Sequence, residues 1–273
     1  IPETRNENIE RWNRKVAQLG RRTFLMQVGK GSFAVLTEVT LGLGRRGLAV
    51  ALGGSALAAA CQPIQQVTES SSRAAQTLEA VNYFPVFNQF VNAFVLVRGN
   101  EIAIVDTGIE GTTPMIAETI TGAGLAWDNV GHLILTHYHQ DHAGSMGDVL
   151  AAATKATAYA GEADISQLPV KTVQAVSDGD EVFGLQIIHT PGHTAGHISV
   201  LDPVGSLLIA GDAMVNQEGV LAVSPAQFTA NMEEAIASVK KLGTLKFDKV
   251  VFGHGDEIAS GASGAVAALA STL

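Results

Sequence analysis

Four apolar runs in this chain each lead directly into a residue that can bind a metal, and that recurrence constrains the fold more than any other feature. The densest case is "HLILTHYHQDHAG". Here the apolar run ends at Thr136, and three histidines and an aspartate fall within six consecutive positions, His137 to His142. In an extended or turning backbone, His137 and His139, two residues apart, point to the same side. Asp141 and His142 follow within one turn. Packing three imidazoles and a carboxylate so closely is unfavourable unless a positive charge organises them. Neutral imidazole and carboxylate are natural ligands of a divalent cation. One cluster cannot fill two tetrahedral sites, so further ligands must arrive from distant segments. "HTPGHTAGH" offers His193 in a Pro-Gly turn after "LQII", "LLIAGDAM" offers Asp212, and "VVFGHGD" offers His254 between two glycines. Glycine beside each of these lets the backbone bend tightly at a strand end.

The remaining pattern predicts the scaffold. "NAFVLV" and "EIAIVDTG", separated by Arg98-Gly99-Asn100, read as a hairpin. "HLILT", "LQIIHT", "HISVL", "SLLIAGD" and "KVVFGHG" read as further short buried strands. A helix is predicted over 224–242, with Ser224 as cap, Pro225 in the first turn, Gln227 completing a capping box and Gly243 as the stop. Strands mixed with helices in this way predict sheets covered by helices in layers, in one domain over 81–273. "VNYFPVFNQFVNAF" (Val81–Phe94) concentrates five aromatics, which read either as core or as an apolar flap over the site.

Ahead of that domain the charge balance reverses. Residues 1–61 carry nine Lys/Arg against four Asp/Glu, whereas 62–273 carry eight against 22. A basic lead joined to an acidic body predicts an export leader over 1–61, with a Gln/Ser/Thr-rich linker over 62–80. "GRRTFLM", with Arg21-Arg22, resembles a twin-arginine export signal, and Arg45-Arg46 heads a second apolar stretch. The small residues before Cys61 resemble a bacterial lipobox, which implies a periplasmic or membrane-anchored protein attached through a lipidated Cys61. Cys61 is the chain's single cysteine, so an intrachain disulfide and a cysteine-based zinc site are excluded. The acidic body argues against a nucleic-acid partner. A small-molecule substrate is expected.

"HYHQDH", "TPGHTAGH", "GD" and "FGHGD", in this order, resemble the metallo-β-lactamase superfamily from about Val81 to the C-terminus. The resemblance implies a four-layer αββα sandwich. It implies that His137, His139 and His193 bind a first metal and Asp141, His142 and His254 a second, with Asp212 bridging them. It implies a supporting role without metal contact for Asp106, in "VDTG". His197, four residues after His193, is expected to hydrogen-bond behind the ligands.

A two-metal hydrolase follows from that set, with two Zn2+ expected and iron or manganese as alternatives. A hydroxide between the metals would attack an ester, lactone, thioester or amide carbonyl. Proton handling falls to Asp141 or to a metal-bound water. Asp212 points away from the true β-lactamases of the superfamily, and the tail after His254, without Lys or Arg, makes a glutathione thioester an unexpected substrate. The alternative is a mononuclear iron oxidoreductase of the persulfide dioxygenase type, with iron on two histidines and one aspartate. An exported metal-holding protein without catalysis is a third reading.

Overall fold

The computed structural model describes residues 79–273. The leader 1–61, Cys61 and the linker up to residue 78 lie outside the described residues.

Two sheets are built from short strands. The first has six: Asn82–Asn88 (β1), Val91–Arg98 (β2), Glu101–Val105 (β3), Val130–Ile134 (β4), Thr157–Gly161 (β5) and Gln174–Val176 (β6), in that spatial order. The β1–β2 and β2–β3 pairs are antiparallel, while β3 to β6 run parallel. The second sheet contains Glu181–Val182 (β7), Leu185–His189 (β8), Ile198–Asp202 (β9), Leu207–Ile209 (β10) and Lys249–Val251 (β13). Between β10 and β13 the chain makes a separate hairpin, Met214–Gln217 (β11) with Val220–Val223 (β12). The helices are Thr113–Gly122 (α1), Gln140–Ala143 (α2), Met146–Ala152 (α3), Glu162–Ile165 (α4), Met232–Leu242 (α5) and Ala262–Thr272 (α6).

The layers follow from the period-two alternation of strand side chains. On β2, Ala93, Val95 and Val97 face outward against Ile116 and Ile120 of α1 and Met146 and Val149 of α3. Phe94 and Leu96 face the other way, onto Ile187, Ile198, Val200 and Ile209 of the second sheet. The reverse face of that sheet, with Ile188, Leu201, Leu208 and Val250, packs on Val239 and Leu242 of α5 and Val266 of α6. Three apolar interfaces thus separate four layers, α/β/β/α. Both sheets are covered on both faces, which is why their strands read as continuous apolar runs.

Two expectations change here. The helix predicted from Ser224 begins at Met232, because Asn231 is its cap: the Asn231 side chain accepts from the N–H groups of Glu233 and Glu234. Residues 226–228 form only a 3-10 turn, and Ser224 is drawn into the site described below. The aromatic run resolves into β1, the tip of its hairpin and the start of β2. Phe94 is core at 2 % exposure, whereas Phe87 and Phe90 stand out at 39 % and 54 %. The segment divides: Phe84 and Phe94 pack in the core, while Phe87 near the end of β1 and Phe90 in the turn stand out, with Phe90 stacked on His254 at the mouth of the site described below.

Candidate metal centre

The parallel arrangement of β3, β4 and β5, and of β10 with β13, sets their C-terminal ends at one edge of the sandwich. Asp106 follows β3, the "HYHQDH" run follows β4, Asp212 follows β10 and His254 follows β13. His193 comes from the turn between β8 and β9. Within the run, His139 caps the single turn of α2, its carbonyl accepting from the N–H of His142 at 2.9 Å. The extended His137-Tyr138-His139 segment and this turn together aim four side chains at one point.

The residues converge as three overlapping groups. His137, His139 and His193 form one, Asp141, His142 and His254 another, and His137, His142 and Asp212 a third that joins them. In each, the ligand atoms lie within 4.8 Å of one another. Asp212 touches both sides: its Oδ2 is 3.4 Å from His193 Nε2 and 3.2 Å from His254 Nε2, and its Oδ1 is 3.4 Å from His142 Nε2. Asp141 Oδ2 is 3.2 Å from His254 Nε2. The site is buried except at its mouth, where the side chains of Asp141 and His254 are 27 % and 18 % exposed.

Hydrogen bonds on the outer side fix how the imidazoles face. His142 Nδ1 meets Asp106 Oδ2 at 2.9 Å, and His254 Nδ1 meets the Phe90 carbonyl at 2.9 Å. Carboxylate and carbonyl oxygens only accept, so both rings carry hydrogen on Nδ1 and turn Nε2 inward. Thr136 Oγ1 donates to Asp106 Oδ2 at 2.8 Å, which leaves it to accept from His137 Nδ1 at 3.0 Å. His193 Nδ1 pairs with Ser224 Oγ at 3.0 Å. His197 is fully buried and stands behind Asp212: its Nε2 accepts from the Asp212 N–H at 2.9 Å, and its Nδ1 pairs with Thr190 Oγ1 at 2.8 Å.

Ring nitrogens therefore meet face to face. His193 Nε2 lies 3.2 Å from His137 Nε2 and 2.9 Å from His139 Nδ1, and His142 Nε2 lies 3.4 Å from His254 Nε2. Asp212 Oδ1 is buried and accepts no hydrogen bond. Lone pairs turned on one another, beside an orphaned buried carboxylate oxygen, fit a cation. Burial pushes His142 down, but Asp212 and Asp106 overcome it and hold this imidazole well above its usual range. Burial likewise opposes His254, yet hydrogen bonds to Asp141 and Asp212 raise it to about 10. Burial keeps His137 well below its usual range, and pulls His193 down to about 4 and His197 to about 3. Asp212 resists burial through His142 and stays far below the usual carboxylate range.

Gly253 marks how tightly the centre is packed. A Cβ there would lie 2.2 Å from Asp212 Oδ1 and 2.5 Å from His142 Cε1, so only glycine fits. Elsewhere, His132 stacks near Tyr159 and Phe183, and His189 bonds the Ala195 carbonyl, both outside the centre. Tyr138 packs against the outer core, and Gln140 is exposed. Thr136, Ser224 and the Phe90 carbonyl were not legible as partners of the histidines. Ser224 carried a helix-cap signal instead, and a backbone carbonyl carries no sequence signal at all.

With this fold and convergence in view, the chain belongs to the metallo-beta-lactamase superfamily, whose family model matches residues 87–254. It is 30% identical over 212 residues to the uncharacterized protein YobT of Bacillus subtilis (strain 168), covering 66% of this chain and 89% of that one. A hydroxyacylglutathione hydrolase of Aeromonas hydrophila subsp. hydrophila is 28% identical over 173 residues, which is 62% of this chain but only 61% of that protein's length. Among solved structures, one protein crystallised in a di-iron-bound form superposes with a TM-score of 0.57 at 25% identity, over 70% of this chain and 100% of that one.

Proposed function

We propose that this protein is a dinuclear metal hydrolase acting on an ester, lactone, thioester or amide bond, with Zn2+ as its metal. The observation that carries the reading is the second group, Asp141, His142 and His254, joined through Asp212 to the first. A mononuclear iron site needs only two histidines and one aspartate, and would leave that second group without a purpose. The hydrolase relative supports the class of reaction, and the di-iron neighbour makes the metal's identity an experimental question.

His137, His139 and His193 on one side and Asp141, His142 and His254 on the other, joined by Asp212, would hold a pair of divalent cations, which would supply a water with its pKa lowered towards about 7 and Lewis-acid polarisation of a carbonyl. The protein's own contribution is orientation and proton control. Asp106, Thr136, Ser224 and the Phe90 carbonyl hold the ligand rings from outside, so little reorganisation is needed when the metal enters. Burial of His137, His142, His193 and Asp212 excludes bulk water from the reacting centre. Asp141, at the open mouth, is held ionised: burial raises its pKa, but the hydrogen bond with His254 outweighs this. Proton transfer to the leaving group would then fall to this carboxylate or to a water held at the centre.

Metal removal tests the reading directly. Dialysis against a strong chelator is expected to abolish hydrolysis across a panel of esters, lactones and thioesters, and readdition of Zn2+ to restore it at about two ions per chain. About one iron per chain, with oxygen uptake and no hydrolysis, would refute the proposal. Because His142 and His254 hold protons when metal-free, cation uptake at neutral pH is expected to release protons. The His254 pKa is raised to about 10 and that of His142 is raised too, so protons compete with the cation and apparent affinity rises with pH. Titration in weakly buffered indicator solution reads this; no proton release would contradict it.

The leader is read as directing export, with Cys61 as a lipid attachment point. Replacing Arg21 and Arg22 together with lysine is expected to retain the full precursor inside the cell, seen by fractionation and immunoblot. Normal export of that variant would shift the assignment to the Arg45-Arg46 segment.

A further inference from the structure

Besides Asp106, a second buried acid near the centre belongs to none of the metal-binding groups. Asp164, on α4, is 1 % exposed. Its Oδ2 accepts from Thr194 Oγ1 at 2.6 Å and its Oδ1 from the Gly196 N–H at 2.7 Å. Both donors belong to the turn that carries His193, with Thr194 immediately following it.

The seam between α4 and the His193 turn has no spare room. A Cβ on Gly161 would lie 1.9 Å from the Gly196 carbonyl oxygen, and one on Gly196 would lie 2.7 Å from Asp164 Cγ. Backbone therefore meets backbone there, and the Asp164 carboxylate is the group that bonds across. A buried carboxylate without a cationic side chain beside it is unfavourable unless its oxygens are satisfied. Here they are satisfied by groups of the turn that sets the metal-facing His193.

Two buried carboxylates thus divide the support of the centre. Asp106 bonds His142 directly and His137 through Thr136. Asp164 bonds the chain beside His193, whose ring meets that of His139 at 2.9 Å. We propose that Asp164 is the positioning residue for the His139/His193 side, setting the spacing of those rings and so the affinity of the His137/His139/His193 group. The Asp141/His142/His254 group is independent of it. The proposal rests on the two-cation reading above.

The test uses two backgrounds of the full chain. His254→Ala leaves the His137/His139/His193 group complete, and His139→Ala leaves the Asp141/His142/His254 group complete. Asp164→Asn is isosteric, but it removes the negative charge, and its NH2 group no longer accepts from the Thr194 hydroxyl or the Gly196 N–H. In the His254→Ala background it is expected to weaken Zn2+ binding about tenfold or more, measured by competition with a chromophoric chelator. In the His139→Ala background the change is expected to stay within about twofold. Equal losses in both backgrounds, or no loss in either, overturn the proposal. Should Asp164→Asn fail to fold, Thr194→Val removes one of the same bonds and is expected to show the same asymmetry, with equal or absent losses again overturning it. Wild-type protein binding fewer than about two ions would instead refute the two-cation reading, whereas two ions without the asymmetry refutes this inference alone.

Discussion

Replacing Asp212 with alanine is expected to lower kcat/KM on the best ester, lactone or thioester substrate by at least about 1,000-fold, or ~4 kcal/mol of transition-state stabilisation. Among the described residues, no other side chain touches both sides of the centre with two oxygens. Oδ1 faces His142 at 3.4 Å, and Oδ2 faces His193 at 3.4 Å and His254 at 3.2 Å. Removing the carboxylate takes away the shared ligand and leaves mutually facing imidazoles without their counter-charge. Bound Zn2+ is therefore expected to fall from about two to about one or fewer per chain. The fold should survive, because the Asp212 contact with His197 runs through its backbone N–H, which alanine retains. The measurements are steady-state kinetics, metal stoichiometry and the circular dichroism of the chelated protein. Retention of more than about a tenth of the wild-type rate would contradict the bridging role.

The second large effect belongs to a residue that the reading keeps off the metal. Asp106→Asn is expected to lower kcat/KM by about 100-fold or more, with weaker metal binding and little change in fold. Asp106 sits at φ 61°, in the left-handed region, where asparagine is among the few residues tolerated. Its Oδ1 accepts from the Thr136 N–H at 2.7 Å, a bond the amide oxygen of asparagine keeps. The new NH2 group then faces His142 Nδ1 and the Thr136 hydroxyl, both donors in the wild type. His142 can avoid the clash by moving its hydrogen to Nε2, which points that N–H at the space a cation needs. A charge-neutral, nearly isosteric change thereby closes the site through a tautomer. Asp106→Glu cannot rescue it, since the longer chain has no room among fully buried neighbours such as Thr107 and Thr136. Unchanged metal affinity and rate in Asp106→Asn would show that the tautomer is not set here.

The strands flanking the centre were legible in the sequence. "NAFVLV" and "EIAIV" pair as the predicted hairpin, and "HISVL" and "SLLIA" are adjacent strands of the second sheet. The position of each metal-competent residue just past a strand end was legible too, because it needs only local pattern. Helix boundaries were less so. Ser224-Pro225 and Asn231 both carry start signals, and the choice went to Asn231 because Ser224 is held by His193, more than thirty residues away. The aromatic run was ambiguous for a similar reason: composition cannot say which ring of a strand faces the core and which the solvent.

From the sequence alone came the family pattern, the layered class of fold and the set of residues able to bind metal, since these depend on residue type and spacing along short stretches. Tertiary structure decided which nitrogen of each histidine faces inward, that Asp212 touches both groups, and that Ser224 and the Phe90 carbonyl brace their rings. The His254 contact with Phe90 joins groups 164 positions apart. Ring orientation is fixed by hydrogen bonds of that range, and no local pattern of residues encodes them.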